Sequence, residues 1–380
     1  MRQVLTPSLR FEEFQDNWEL KNLKDIFELK YGKDHKHLNQ GIYPMLGSGG
    51  IMRYVDSYLY NQPSVLIGRK GTIDKPLFIT TPFWTVDTLF YTVIKQGQEP
   101  YFVYSLAQTI NWYKYNEATG VPSLNTSGIY SVPVYVPLIK EQKKIASFLT
   151  SVDRKISQLT EKYRLLKEYK KGVMQQIFSQ QLRFKDEDGK AFPEWEQDRL
   201  DSFIERVNNP VDVEKAKEYR EIGIRCHGKG LFHKDKKSGE ELGNKRVFWV
   251  HPNALIINIV FAWERAVAVT SEHENGFIAS HRFPMFIPKE GKSDLDYLLY
   301  FFLSPKGEYL LNLASPGGAG RNKTLGQAEF SKLKVTLPSL KEQQKVAQFF
   351  QSIDKKIDEV AQQVELTKQF KKGLLQQMFV

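Results

Sequence analysis

Two glycine-flanked basic stretches carry the side chains best suited to chemistry with a polyanion. Gly68-Arg69-Lys70-Gly71-Thr72 interrupts a β-branched and aromatic run, "SVLIGRKGTIDKPLFITTPFWTVDTLFYTVI", and reads as strand, tight basic turn, strand. Glycines at 68 and 71 let the backbone approach a ligand while Arg69 and Lys70 reach outward. Upstream, Lys33 and Lys36 precede "YPMLGSGGIMRY", a glycine turn bearing Ser48 and Arg53. Its GSGG lacks the helix-opening G-x-G-x-x-G spacing of a phosphate loop. Further on, "IRCHGKGLFHKDKKSGEELGNKR" sets Arg225, His227, Lys229, Lys234, Lys236, Lys237, Lys245 and Arg246 among glycines and aromatics. "GRNKTL" adds Arg321, Asn322 and Lys323 in another glycine-flanked turn, just before the strand that leads into the last helix. Loops of this kind track phosphates and read base edges. The same composition also suits solvated hairpin tips, and each stretch taken alone leaves both readings open.

Other chemistries find less support. Cys226 is the only cysteine, which excludes an internal disulfide and a cysteine-based zinc site. His227, His233 and His251 lack the carboxylate or thiol spacing of a metal centre. An adenine methyltransferase needs a glycine-rich cofactor loop and an Asn/Asp-Pro-Pro-aromatic motif; "NNPV" (Asn208 to Val211) lacks the second proline and the aromatic. Glu-x-Lys triplets at Glu28/Lys30 and Glu290/Lys292 match a nuclease pattern, but a chain with 26% charged residues produces them by chance. The net charge of +10 fits a polyanionic partner and a plain basic surface equally well. The longest apolar stretch, Ala254 to Trp263, is too short for a bilayer and contains Asn258, and the first residues lack a signal-peptide core. The expectation is a soluble, cytoplasmic protein with no membrane partner.

The elements that must position these turns are written twice. "KEQKKIASFLTSVDRKI" from Lys140 recurs as "KEQQKVAQFFQSIDKKI" from Lys341, an offset of 201 residues without a gap. From Pro137 to Phe178 the two copies agree at 19 of 42 positions, far beyond chance for an ungapped match. "LRF" at Leu9 and Leu182, with Trp18 and Trp195 downstream, echoes the duplication ahead of each copy. The order is therefore unit, helix, unit, helix, with bounds at 1–138, 139–180, 181–339 and 340–380.

Both helices hold heptad spacing for five heptads. One seam runs through Ile145, Leu149, Val152, Ile156, Leu159, Tyr163 and Leu166, the other through Val346, Phe350, Ile353, Ile357, Val360 and Val364. Lys170, Thr367 and Lys371 interrupt the apolar pattern. Helices of roughly 38 residues would be about 57 Å long, and the segment between them would fold to a width near 40 Å. An antiparallel pair needs only a compact domain at one end, whereas a parallel pair would force that domain to span the rod. The expectation is an α+β protein: two globular recognition domains joined by two long helices in an antiparallel coiled coil, a dumbbell with an internal pseudo-two-fold repeat.

Over essentially its whole length the chain resembles the specificity subunit of type I restriction–modification systems. The residues that carry the likeness are the two copies of the proline, KEQ, K-x-A-x-F and S-x-D-x-K-I pattern (Pro137 to Ile156, Pro338 to Ile357). "IGRKGTIDKPLFITTPFWTVDTLFY" is similar to one class of the family's target recognition domain, and "FAWERAVAV", "SHRFPMF" and "RNKTL" are similar to another. Where relatives usually have glycine after the Trp–Glu pair, this chain has Arg265, which joins the candidate DNA contacts. The resemblance implies a non-catalytic subunit that reads double-stranded DNA, each domain taking one half of a bipartite target and the helix pair fixing the spacer. It also implies two modification subunits carrying the S-adenosylmethionine chemistry, motor-nuclease restriction subunits, and no cofactor on this chain. The domains differ in sequence, so their half-sites should differ, and a 57 Å rod exceeds one duplex turn of about 34 Å. A coiled-coil adaptor without sequence readout would explain the helices but not basic glycine turns in both domains.

Overall fold

The computed structural model describes residues 6–317 and 323–380. The chain divides into two compact units, Met1–Lys162 with Val360–Val380, and Tyr163–Glu359. Each long helix is shared between them.

In the first unit the strands are β1 (Glu19–Asn22), β2 (Phe27–Tyr31), β3 (Gln40–Gly47), β4 (Gly50–Val55), β5 (Ser64–Gly68), β6 (Leu77–Ile79), β7 (Trp84–Thr85), β8 (Leu89–Ile94) and β9 (Pro133–Val136). With them come α1 (Leu23–Ile26), α2 (Pro100–Thr109), α3 (Thr126–Tyr130) and the long α4 (Ile139–Phe178). β1 clasps β9 antiparallel, one sheet runs β2-β8-β5-β6, and another runs β4-β3-β7.

The second unit repeats this plan. Its strands are β10 (Glu196–Arg199), β11 (Ile204–Val207), β12 (Glu218–Ile224), β13 (Leu231–Ser238), β14 (Val247–Trp249), β15 (Leu255–Ile257), β16 (Val267–Val269), β17 (Ile278–Ser280), β18 (Met285–Pro288) and β19 (Lys334–Leu337). The helices are α5 (Gly239–Leu242), α6 (Leu295–Leu303), α7 (Pro305–Leu313), α8 (Gln327–Ser331) and the long α9 (Leu340–Met378). β10 clasps β19 as β1 clasps β9, and β11-β18-β15-β16 matches β2-β8-β5-β6. The hairpin β12–β13 takes the place of β3–β4, and its first strand pairs in parallel with β17 as β3 does with β7. One expectation changes here: α8 intervenes between Leu325 and β19, so the segment after Lys323 does not run straight into that strand.

The KEQ motif explains why each helix starts where it does. Pro137 and Pro338 end the preceding strands, and the Gln142 and Gln343 amides donate back to those proline carbonyls at 2.9 Å. The same glutamine side chains accept from Glu99 N and Asp294 N, both at 2.9 Å, and so fix the residues that cap α2 and α6. Glu141 and Glu342 are each only 1% exposed. Glu141 receives the Arg10 guanidinium at 2.8 and 2.7 Å, and Glu342 receives Arg183 at 3.3 and 3.0 Å. These arginines belong to the two LRF segments. The phenylalanines beside them, Phe11 and Phe184, meet Phe148 and Phe349 edge-on.

The seam is antiparallel. In the first unit Ile145, Leu149 and Val152 share a buried core with Leu374, Met378 and Phe379. In the second, Val173, Ile177 and Phe178 share one with Val346, Phe350, Ile353 and Ile357, with Tyr163 and Leu166 packed against it. Leu159, Val360 and Val364 are buried as well, and Ile156 is half-buried. The seam's lysines are not flaws. Lys371 donates to Asp153 at 2.8 Å in the first unit, and Lys170 to Asp354 at 2.5 Å in the second. Each aspartate also accepts from a tyrosine, Tyr101 and Tyr300 respectively, whose hydroxyl pKa is raised by burial and by that bond.

Glu342→Gln should destabilise the chain by about 2 kcal/mol, because the buried side chain loses its two charge-assisted bonds from Arg183, which keeps only the exposed Glu194 at 3.1 Å and the Phe192 and Pro193 carbonyls. Replacing Arg183 and Glu342 together by methionine and leucine should cost far less. Urea unfolding of both variants checks this; equal losses would deny the pair its special role.

Candidate nucleic-acid interface

In the first unit three turns converge. The tip of β3–β4 is Ser48-Gly49, and a methyl on Gly71 would sit 3.2 Å from Ser48 Oγ. The β5–β6 connection, residues 69–76, is longer than a tight turn but opens as one. Arg69 and Lys70 donate their backbone N–H groups to Thr88 O in the β7–β8 turn, at 2.9 and 3.2 Å. Gly68 has no substitute, since a Cβ there would lie 2.0 Å from Thr72 O. Gly71 has φ +88°, a conformation that favours glycine.

The basic side chains on this face differ in freedom. Arg69 donates to Asp87 O at 3.1 Å and lies 5.5 Å from the Tyr31 ring centre, half-buried. Lys70, Lys33 and Lys36 are exposed and make no ion pair among the described residues. Thr72 is half-buried beside them. Arg53 turns away from the tip, donating to His35 O at 2.9 Å and Leu38 O at 3.2 Å. Its guanidinium closes the loop that carries Lys36.

The second unit assembles the equivalent turns from different residues. The β12–β13 loop passes through left-handed backbone at His227 (φ +59°), Gly228 (φ +65°) and Gly230 (φ +73°). Its His227 and Gly228 N–H groups donate to Glu264 O and Arg265 O in the β15–β16 connection, at 2.8 and 3.1 Å. That connection is bonded in turn to the β17–β18 turn, where Ile259 N donates to Arg282 O at 3.0 Å. Two adjoining grooves of about 490 and 660 Å³ open among these turns, sharing Lys234, Asn258, Phe261 and Phe283.

Arg225, His227, Lys229, Lys234, Lys245 and Arg246 all line these grooves. Arg225 lies 4.9 Å from the Phe232 ring centre and donates to Leu231 O at 2.5 Å. Lys234 and Lys245 flank the buried Glu221 at 2.8 and 3.8 Å. Lys236 pairs with Glu218 at 3.2 Å along the β12–β13 ribbon, and Lys237 is exposed nearby. Lys323 is half-buried, while Arg321 and Asn322 lie outside the described residues. The Cys226 thiol is pushed up to about 11 by burial and by its hydrogen bond to Glu264, which suppresses the reactive thiolate.

Arg265 explains a departure noted in the sequence. It occupies left-handed backbone at φ +57°, where glycine is the unstrained choice. Its guanidinium donates to Leu303 O at 3.3 Å and pairs with Glu308 at 3.4 Å, so it serves the α6–α7 junction. Residues that the sequence reading passed over also reach the grooves: Asn244, Asn258, Phe261, His281, Arg282 and Phe283. Phe261 lies in FAWERAVAV, and the last three in SHRFPMF, so the motifs themselves were the available signal.

A duplicated frame bearing two different basic faces agrees with what comparison finds. The family described as type I restriction modification DNA specificity domain matches residues 15–168 and again 194–368. The chain belongs to that family. Among specificity-family relatives, the type I restriction enzyme MjaVIII specificity subunit of Methanocaldococcus jannaschii is 23% identical, over 95% of this chain and 91% of the relative. The putative MjaX specificity subunit of the same organism is 22% identical, over 92% of this chain and 82% of the relative. In fold the chain is similar to the crystal structure of a type I restriction–modification S subunit from M. genitalium, with a TM-score of 0.62, 12% identity and 99% of both chains covered. It is also similar to a chain from a structural study of type I complex assembly and conformational transition, with a TM-score of 0.51 and 12% identity over 94% of this chain and 96% of that one. No helix of the described residues is long and apolar enough to cross a membrane.

Within this specificity-family frame the two kinds of arginine should separate. Arg265→Gly relieves about 1 kcal/mol of backbone cost and gives up an ion pair worth under about 1 kcal/mol. Stability and DNA affinity should both stay close to the parent. Arg69→Ala with Lys70→Ala should weaken DNA binding roughly tenfold and lower the salt slope by about 2. Titration of labelled duplex at several salt concentrations reads both; a tenfold loss in Arg265→Gly would move that guanidinium onto DNA.

Proposed function

We propose that the chain is the non-catalytic DNA-recognition subunit of a type I restriction–modification complex, each unit reading one half of an asymmetric bipartite target. The observation that carries this is the face of three turns, built twice on one strand order with different side chains. Basic residues without carboxylate partners among the described residues, Lys70 in one unit and Lys229 and Arg246 in the other, supply phosphate contacts. Different residues at the same places supply different readouts. The helix pair sets the spacer, each helix being an unbroken run, of 40 residues in α4 and 39 in α9. S-adenosylmethionine and the chemistry on the target adenine belong to two modification subunits, and motor-nuclease subunits join for cleavage.

The helices also offer matched docking places for the modification subunits. On α4, Leu165 and Tyr169 are 50% and 53% exposed, with Gly172 one turn further and open space above it. On α9, Leu366 and Phe370 are each 56% exposed, followed by Gly373 in equally open space. These positions correspond across the repeat, and Lys167 and Lys171 flank the first stripe as Lys368 and Lys372 flank the second. Two like stripes suit two copies of one partner, each presenting an apolar helix face with acidic flanks.

Tyr169→Asp should leave one modification subunit bound, and Tyr169→Asp with Phe370→Asp none, as native mass spectrometry would read; two copies on the double variant would refute the stripes. The function itself is tested by mapping methyl-adenine in genomic DNA of cells carrying this chain with its modification subunit. New methylation at one split, asymmetric motif is expected. A stable complex that adds no motif would favour an adaptor without readout.

A further inference from the structure

The grooves among the three turns of the second unit are lined by a buried amide and aromatic rings as well as by exposed cations. Their floor holds Asn258, 8% exposed, whose Oδ1 accepts from Val260 N at 3.1 Å. That bond orients the amide, and its Nδ2 has no hydrogen-bond partner among the described residues. Phe261 and Phe283, from the two adjacent turns, line both parts of the groove. Phe232 joins them, its ring tip over Gly223, where a Cβ would fall 2.2 Å from the ring. On the rim, Arg246 and Arg282 are exposed and form no ion pair among the described residues. The one carboxylate in the wall, Glu221, is matched by Lys234 and Lys245.

A buried amide donor, aromatic walls and a cationic rim are the complement of a nucleotide: an acceptor-bearing base edge, a flat π face and a phosphate. A base still stacked in a duplex shows only its edge within the DNA groove, below the level of its backbone. To reach an amide at the floor of a protein groove it must leave the stack, a cost that stacking on aromatic side chains offsets. Resting on the proposed reading of DNA by this unit, we infer that the groove takes one unstacked nucleotide of the half-site, its base between Phe261 and Phe283 and held by Asn258 Nδ2, its phosphate on Arg246 and Arg282. Recognition in this unit then includes a base taken out of the helix, separate from the adenine that is methylated.

The test uses the complex of this chain with its modification subunit and a duplex carrying the motif found by methylation mapping. 2-Aminopurine is placed in turn at each position of the second unit's half-site, leaving out the methylated adenine. One position should brighten several-fold on binding. Asn258→Asp and Phe283→Leu should abolish the increase, and the surface change Arg282→Ala, which does not threaten folding, should reduce it at least threefold. Bound duplex should also slow alkylation of Cys226, in the groove wall, at least tenfold, as read on its peptide by mass spectrometry. Sequence-specific binding with no brightening at any position would overturn the inference while leaving the recognition reading intact. Loss of sequence-specific binding altogether would instead bring down that reading. Protection of Cys226 by millimolar dAMP, dGMP, dCMP or TMP but not by duplex would make this a site for free nucleotides and likewise overturn the inference.

Discussion

The buried carboxylate at the head of each long helix is the constraint on which the rest hangs. Burying a carboxylate to 1% exposure without a partner would cost several kcal/mol of desolvation. Arg10 and Arg183 supply the partner from the LRF segments, which lie 131 and 159 residues earlier in the chain. Because the guanidinium forks onto both carboxylate oxygens, it fixes direction as well as distance. The segment leading into each unit is thereby locked to the segment leaving it. The β1–β9 and β10–β19 clasps continue the same closure in backbone hydrogen bonds. The neighbouring glutamine then ties the first turn of the helix to the cap of α2 or α6. Two consecutive residues thus close each domain.

The second frame element is the lysine within each seam. Lys170 and Lys371 look like defects in a heptad reading because the pattern registers only polarity. Their partners, Asp354 and Asp153, come from the other helix, in the only pairing that an antiparallel arrangement offers to both copies at once. A parallel register would leave four charges half-buried without partners. The ion pairs therefore specify direction, as a buried polar residue does in a coiled coil, more than they add stability.

Much of this frame was legible in the sequence, because it rests on local periodicity and on a repeat. The seam positions and the helix starts after Pro137 and Pro338 follow from patterns within 40 residues, and the antiparallel pairing from the size of the segment between the two helices. The candidate DNA face was less legible. Its turns are joined by contacts such as His227 to Glu264 and Ile259 to Arg282, which link residues more than 20 positions apart. Composition singles out cations, but not which of them are spent on carbonyls, as in Arg53, or on a helix junction, as in Arg265. Nor does it mark Asn258, which sits in an apolar run and reads as an oddity in a buried strand. Arg282 lay inside a quoted motif, yet a single arginine between a histidine and a phenylalanine has no periodicity to betray its direction.

The division of labour between frame and face has a physical basis. The clasp, the Arg–Glu pair and the helix cores are all made by residues remote from the three turns, so their free energy does not depend on what the turns carry. The turns depend on the frame through backbone hydrogen bonds, such as Arg69 N to Thr88 O in one unit and Gly228 N to Arg265 O in the other. Backbone bonds are indifferent to side-chain identity except where glycine is required, at Gly68 in one unit and Gly228 in the other, where a Cβ would strike Thr72 O or Leu303. The exposed cations of the face, such as Lys70, Lys229 and Arg246, can be exchanged at little cost to stability. A single chain can then hold two unlike faces on one repeated frame, and the difference between them is carried by exposed side chains on which folding makes little demand.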